Sequence, residues 1–414
     1  MTKIDKNRLL KLADDLLKHP ELGYKEFKTK QYLVDYFKEI GLKIENECFE
    51  TAFSVSIGSG HPHIGLIAEL DAIPTLGHIY ANKEDNNAAH ACGHFSQCVS
   101  MAGVMTMLKD ESFKGKVTLF FTPAEEYTDI QYRESLIKAK KIKYIGGKIN
   151  MLEKGIFDDV DIVIHLHAMG ESDKKFSVGS RLAGFVYKKM IFNGKAAHAA
   201  MAPYAGVNAL NIYALFNDAV NMLRETYKDE DTIRVHGFIS LGGQTVNSIP
   251  ERVIYECYVR SATNAGLIST AEKLDNAAKC CAKALGGTCT IKTSPGYLPL
   301  IQDDMVNEIV YDEMLKLVSK DEIDVNSASM AAGDIGDISV FKPCVQFGYG
   351  GFKGVPHSKD FVVLDENLVY FDTMKITFNT VKRLLDNPDY VKKVVKNFKP
   401  RMTKDEYLKI INKK

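Results

Sequence analysis

The sequence predicts an α/β protein: a mostly parallel sheet with helices on both faces, plus an inserted ferredoxin-like α+β domain. Three observations carry that prediction. Helix-period and strand-period segments alternate from residue 7 to about 119. Between about 183 and 295 the rhythm changes to strand, helix, strand, strand, helix, strand. After 295 the first rhythm resumes. The larger domain is therefore expected to be discontinuous, 1–182 with 296–414, around an insert of 183–295.

In chain order, two helices open the sequence, the first an amphipathic stretch within residues 1–20 with apolar positions at helical spacing. A strand near 43–47 and an apolar strand over 64–68 come next, then a helix over 94–108 and a strand over 116–121. Residues 161–166 continue the sheet. The insert reads as strand 186–192, helix 207–224, strands 233–240 and 253–260, helix 271–285 and strand 288–293. That order gives a four-stranded antiparallel sheet with two helices on one face. A helix over 305–318, a strand around 345–347 and a helix over 366–385 complete the larger domain, and the lysine-rich 387–414 is expected to be helical with a solvated face. In a sheet covered on both faces, functional side chains gather at the carboxyl ends of the strands.

Composition narrows the function classes. The chain is 45% hydrophobic and 26% charged, with 53 Lys+Arg against 53 Asp+Glu, the profile of an ordinary globular protein. Balanced charge gives no general attraction for nucleic acid or anionic lipid, so neither partner is expected. The N-terminus lacks the apolar core of a signal peptide, and no apolar run reaches the roughly 18 residues of a membrane span. Eight cysteines are spread through the chain without a C-x-x-C pair, which fits a reducing, cytoplasmic setting.

Four segments carry chemistry, each modest alone. His90-Ala91-Cys92-Gly93-His94 opens a helix with a thiol and an imidazole two residues apart, a donor mixture that zinc accepts. Thr122-Pro123-Ala124-Glu125-Glu126 comes directly after an apolar strand that Pro123 ends, so two adjacent carboxylates emerge pointing in different directions. One can bind a metal while its neighbour faces a water molecule to be activated. The strand over 161–166 ends in His165-Leu166-His167, and Pro356-His357-Ser358 lies in a glycine-rich loop after another apolar strand. Taken singly, a buried cysteine, an exposed acidic pair or a satisfied histidine accounts for each. Four such sites at equivalent sheet positions are better explained together: Cys92, His94, Glu126, His167 and His357 can hold two ions, with His90 and His165 as alternatives for one of the five.

Those segments, with HPELGYKE, AELDAIPTLGH, GKAAHAAMAPYAGVNAL, GGQTVNSIPE, Arg260, AAGDIGDIS and VPHSKDF, give the chain a resemblance over nearly its whole length to a known family. It resembles the dinuclear metallopeptidases and amidohydrolases that include aminoacylase and glutamate carboxypeptidase. Within them it is most similar to the branch of aminobenzoyl-glutamate hydrolases, N-acyl-amino-acid amidohydrolases and related dipeptidases. The resemblance implies that Cys92, His94, Glu126, His167 and His357 ligate two divalent ions, zinc or manganese, and that Glu125 is the general base. It also implies that the insert is a lid and dimerisation domain, so that a homodimer is expected. His198 would stabilise the tetrahedral oxyanion, often in the partner's active site, and Asn247 and Arg260 would grip the substrate carboxylate.

Three departures stand out. Glu69 replaces the arginine of many relatives before the acidic Asp71, an insertion over 79–89 separates segments contiguous in that branch, and Phe95 comes after His94 where an acidic or amide residue is usual. Asp71 is read as orienting support, not as a ligand. A rival from another class is a non-catalytic subunit of the same fold in a mixed oligomer, against which the intact Glu125 and five ligands argue. A structural-zinc or redox protein using Cys92 and Cys98 fits less well, because closed structural sites favour paired cysteines.

Overall fold

The computed structural model describes residues 5–412. Residues 1–4 of the expected N-terminal helix and 413–414 of the lysine-rich tail lie outside the described residues. The chain divides into two compact units. The first runs as far as Arg181 and adds Ile301–Ala328 and Asp337–Arg401; the second comprises Leu182–Leu300 and Ser329–Gly336, with the chain beyond Met402.

The first unit is built on an eight-stranded sheet. In chain order its strands are β1 (Ile44–Cys48), β2 (Ala52–Ser59), β3 (His63–Glu69), β4 (Gly115–Thr122), β5 (Ile162–Ala168), β6 (Phe176–Val178), β7 (Ile323–Val325) and β8 (Cys344–Tyr349). Their spatial order is β1-β2-β4-β3-β5-β8-β6-β7. The central strands β4, β3, β5 and β8 run parallel, whereas β1 and β2 add antiparallel at one side and β8 pairs antiparallel with β6. All seven residues of β3 are buried, as a strand covered on both faces requires.

Helices α1 (Lys6–Lys18), α2 (Phe27–Glu39) and α3 (His94–Leu108) flank that sheet. α3 is mostly apolar, without a polar face, and buries every residue except Thr106, so it runs through the interior, packed on α1, on β3 and on the later helix Thr373–Asp386. Strand β2 and helices α4 (Ile130–Lys138) and α5 (Gly147–Glu153) have no counterpart in the sequence-based expectation. β2 reads AFSVSIGS, in which Phe53, Val55 and Ile57 alternate with Ser54, Ser56 and Gly58, a strand period the expectation passed over, and α4 is a short polar helix.

The second unit holds a four-stranded antiparallel sheet in which Gly184–Asn193 pairs with Arg252–Ser261 and Thr288–Pro295, and Arg234–Leu241 lies at an edge. Helices Ala209–Leu223 and Asn264–Ala284 pack on it. This unit is wider than residues 183–295. Backbone hydrogen bonds tie later residues into it: the Phe185 N–H donates to Tyr297 O and the Ala183 N–H to Ala331 O.

Candidate metal centre

The register of the parallel strands sets the site. Glu69 pairs with Thr122 across β3 and β4, and His165 and His167 of β5 pair with Gln346 and Gly348 of β8. The carboxyl ends of β3, β4 and β5 therefore lie side by side. Gly93, at φ +83°, turns the chain from the loop into α3 and separates Cys92 from His94. His357, also left-handed at φ +69°, is tied to the same segment by its N–H, which donates to Ala91 O at 2.7 Å.

Five residues expected from sequence meet there in two overlapping groups. Cys92, His94 and His167 offer ligand atoms within 4.8 Å of one another, and so do Cys92, Glu126 and His357. Cys92 belongs to both, so one sulfur can serve two ions. Its Sγ lies 3.6 Å from His167 Nε2, and His357 Nε2 lies 3.1 Å from Glu126 Oε1. Glu125 forms a third group with His94 and Glu126, its Oε2 4.0 Å from His94 Nε2. Neither His90 nor His165 enters a group among the described residues. His90 is buried against Phe95, and His165 bonds Gln346 Oε1 through Nδ1.

Hydrogen bonds aim the ligands. His94 Nδ1 contacts Asp71 O at 2.9 Å and Asp71 Oδ1 at 3.1 Å, and His167 Nδ1 contacts Ala168 O at 2.8 Å, so each ring keeps Nε2 for a metal. Asp71 Oδ2 accepts the Glu126 N–H at 2.9 Å. One carboxylate thus orients two candidate ligands, and the residue after His94 is not needed for that role. Phe95 is part of the core instead.

The charge balance fits divalent cations. His94 Nε2 and Glu126 Oε1 are buried beside ionisable neighbours, Glu69 Oε2 at 3.2 Å and His357 Nε2 at 3.1 Å, without a well-aligned hydrogen bond, a condition that an ion would relieve. Burial lowers His167 to about 4, which keeps the imidazole neutral and able to ligate. Burial and the neighbouring Glu126 raise the Cys92 thiol well above its usual value, so a cation is needed to hold the thiolate, and binding would release the proton. Although burial opposes it, neighbouring His357 lowers Glu126 and keeps that carboxylate ionised.

Sequence reasoning did not assign a role to a buried ionic group behind the ligands. Glu69 Oε1 lies 2.6 Å from Lys148 Nζ and 3.2 Å from His165 Nε2, while Gln97 Nε2 donates to Glu69 Oε2 at 2.8 Å. Glu69 Oε2 is also 3.2 Å from His94 Nε2. Despite burial, Lys148 holds the Glu69 carboxyl well below the usual range. The signal is Glu69 itself, an acid at the end of a strand whose middle is apolar, which demands a partner when buried. Nothing in sequence names Lys148 as that partner.

His198, Asn247 and Arg260 belong to the second unit. His198 is exposed, its Nδ1 accepts the N–H groups of Ala200 and Met201, and the Ala199 N–H donates to Asn247 O. Arg260 is half-buried, donates to Met330 O at 2.8 Å and stacks over Phe185 and Tyr258. Asn247 precedes the strand Arg252–Ser261 and Arg260 lies near its far end, so at roughly 3.3 Å per residue about 26 Å of strand separates Arg252 from Arg260. Within one chain these two side chains do not meet.

The model of peptidase family M20/M25/M40 matches residues 65–379. The chain is 27% identical over 400 residues to the N-acetyl-L-cysteine deacetylase of Bacillus subtilis (strain 168), covering 92% of this chain and 89% of that one. It is 26% identical to the Xaa-Arg dipeptidase of Mus musculus, covering 97% and 91%. Among solved structures, a Bacillus subtilis protein described as a dinuclear metal-binding peptidase of the M20 family superposes with a TM-score of 0.70 at 19% identity, covering 92% and 98%.

Proposed function

The chain belongs to peptidase family M20/M25/M40 and is a metal-dependent hydrolase of C–N bonds, and on that basis we propose that it cleaves the amide bond of an N-acyl or N-aroyl amino acid, such as aminobenzoyl-glutamate, or of a dipeptide. The observation that carries this reading is Glu125 beside two ligand groups that share Cys92. Cys92, His94 and His167 would hold one divalent ion and Cys92, Glu126 and His357 the other, with zinc or manganese suited to the donors. When bound, such ions polarise a carbonyl and make water a stronger acid.

Glu125 supplies the proton transfers. Its carboxylate accepts a proton from the attacking water and returns it to the nitrogen of the departing amine, so the base is regenerated. Asp71 keeps His94 and Glu126 in register during both steps. The second unit supplies substrate contacts: His198, with Nδ1 occupied by backbone N–H groups, keeps its proton on Nε2 and can donate it as a hydrogen bond to an oxyanion. Arg260 and Asn247 would bind the carboxylate of the substrate. Because they are far apart in one chain, their joint action requires a second copy, which favours a homodimer acting in a reducing cytoplasm.

The test is release of amino acid from a panel of N-acyl amino acids, aminobenzoyl-glutamate and dipeptides, by metal-loaded wild type and by Glu125→Gln. The variant is expected to keep two ions per chain by mass spectrometry and to lose at least about a thousandfold in kcat, since general-base catalysis alone contributes about 10²–10⁴-fold. A metal-loaded wild type silent on the whole panel would defeat the reading in favour of a non-catalytic subunit.

A further inference from the structure

Beyond the ligands, the backbone immediately before the two catalytic-side carboxylates is held in an unusual way. Ala124 is fully buried with φ +54°, a left-handed conformation that residues with a Cβ adopt only against a steric cost. Such a residue stays there only if its surroundings fix it. Its N–H donates to Glu26 Oε1 at 2.9 Å, and its carbonyl accepts from the Gly147 N–H at 3.3 Å and Arg133 Nη1 at 3.4 Å. Both peptide groups of the turn are therefore gripped from outside the turn.

The two gripping side chains are built in, not incidental. Glu26 is buried and its other oxygen lies 2.6 Å from Thr51 Oγ1. Arg133, delivered by α4, is buried as well: it also donates to Ile145 O at 3.4 Å, its guanidinium lies 5.8 Å from the Tyr24 ring, and Nη2 is 4.0 Å from Asp71 Oδ2. A Cβ at residue 23 would come within 2.3 Å of Nη2, so Gly23 leaves room for that group. Asp71 in turn accepts the Glu126 N–H. The chain spends a buried cation and a buried carboxyl on a turn two residues long. Neither group is among the residues that meet at the metal centre.

We propose that Glu26 and Arg133 are positioning residues that clamp the left-handed turn at Ala124 and so aim Glu125 at the attacking water and Glu126 at the ions. This rests on the reading of Glu125 as general base. Burial and nearby Asp71 raise Glu26 to about 8, so near neutrality it is largely a neutral acid and glutamine is its close substitute.

The experiment compares Glu26→Ala, Glu26→Gln, Arg133→Met and Glu26→Ala combined with Ala124→Gly, each loaded with zinc or manganese. Glu26→Ala and Arg133→Met are expected to lower kcat about 30–100-fold with KM within threefold and two ions still bound. Glu26→Gln should recover most of the loss, because its amide oxygen still accepts the Ala124 N–H. Glycine at 124 should recover part, because it removes the steric cost that the clamp opposes. A readout that needs no substrate accompanies these: in Glu26→Ala, hydrogen exchange of the 122–128 segment should speed at least tenfold while the central strands stay protected. Unchanged kcat or unchanged exchange in a folded Glu26→Ala overturns the clamp. So does a loss of kcat that merely tracks a loss of bound metal or of folded protein, and Arg133→Met decides if Glu26→Ala does not fold. Failure of the wild type on the substrate panel would instead strike the functional reading, with the exchange measurement still deciding the clamp.

Discussion

Cys92 and Glu126 are legible as candidate ligands because their chemistry is unusual for their setting: a thiol beside imidazoles, and an acidic pair straight after an apolar strand. The residues that support them are not legible as such, since Arg133 and Lys148 look like ordinary charges on helices, and Glu26 like one more charge closing the HPELGYKE segment, until the fold buries all three. Burial changes their energetics, and Glu26 offers a direct measurement. Its folded value is about 8 against 4.5 for the free group, so the native state holds the proton more tightly than the unfolded chain does. The stability this contributes is complete below about pH 4.5 and is lost as pH rises through 8. In metal-free protein the free energy of unfolding should therefore fall between pH 5 and 8, at a slope approaching 1.4 kcal/mol per pH unit from this group. Glu26→Gln should remove that slope and so gain on the wild type steadily toward pH 8. Thermal midpoints of both proteins at pH 5, 6.5 and 8 check it, and parallel curves would refute it.

Elements were legible where periodicity was strong. β3 announces itself by its apolar run over 64–68, α3 by its preponderance of apolar residues, and the insert by a repeating strand and helix order. β2 carries a legible alternation at Phe53, Val55 and Ile57 that the expectation passed over, whereas the short polar α4 offers little period, yet α4 carries Arg133 to Ala124. The entry to α3 shows how a single glycine decides an element. Gly93 must be left-handed for the helix to begin between Cys92 and His94, and a Cβ there would lie 2.6 Å from that of Ala168 on β5. Gly93→Ala therefore faces both the conformational cost and a collision with the strand that holds His167. It should destabilise the protein by more than about 1 kcal/mol and weaken metal binding together. Urea denaturation with a metal-chelator competition tests both, and a variant with wild-type ion affinity would show that the helix start tolerates the change.

At the scale of the molecule, the second unit raises a question its own strands answer in part. The strand Arg234–Leu241 lies at the edge of its sheet, pairing only with Arg252–Ser261, and exposes Phe238 and Ile239, 62% and 39% accessible. An edge with unpaired backbone groups and apolar side chains invites a further strand, and monomeric proteins ordinarily blunt such edges with charge. If Asn247 and Arg260 serve one substrate carboxylate, as proposed above, their separation along the neighbouring strand calls for a second copy, and this edge is where it would join. If two copies join there, replacing Phe238 and Ile239 with lysine should dissociate them. The monomer should retain two ions, since all five proposed ligands belong to the first unit, and yet lose most turnover. Light scattering after gel filtration, alongside metal content and kcat, separates the outcomes: a charged edge that leaves a dimer intact places the interface elsewhere, and an active monomer removes the need for a partner's residues.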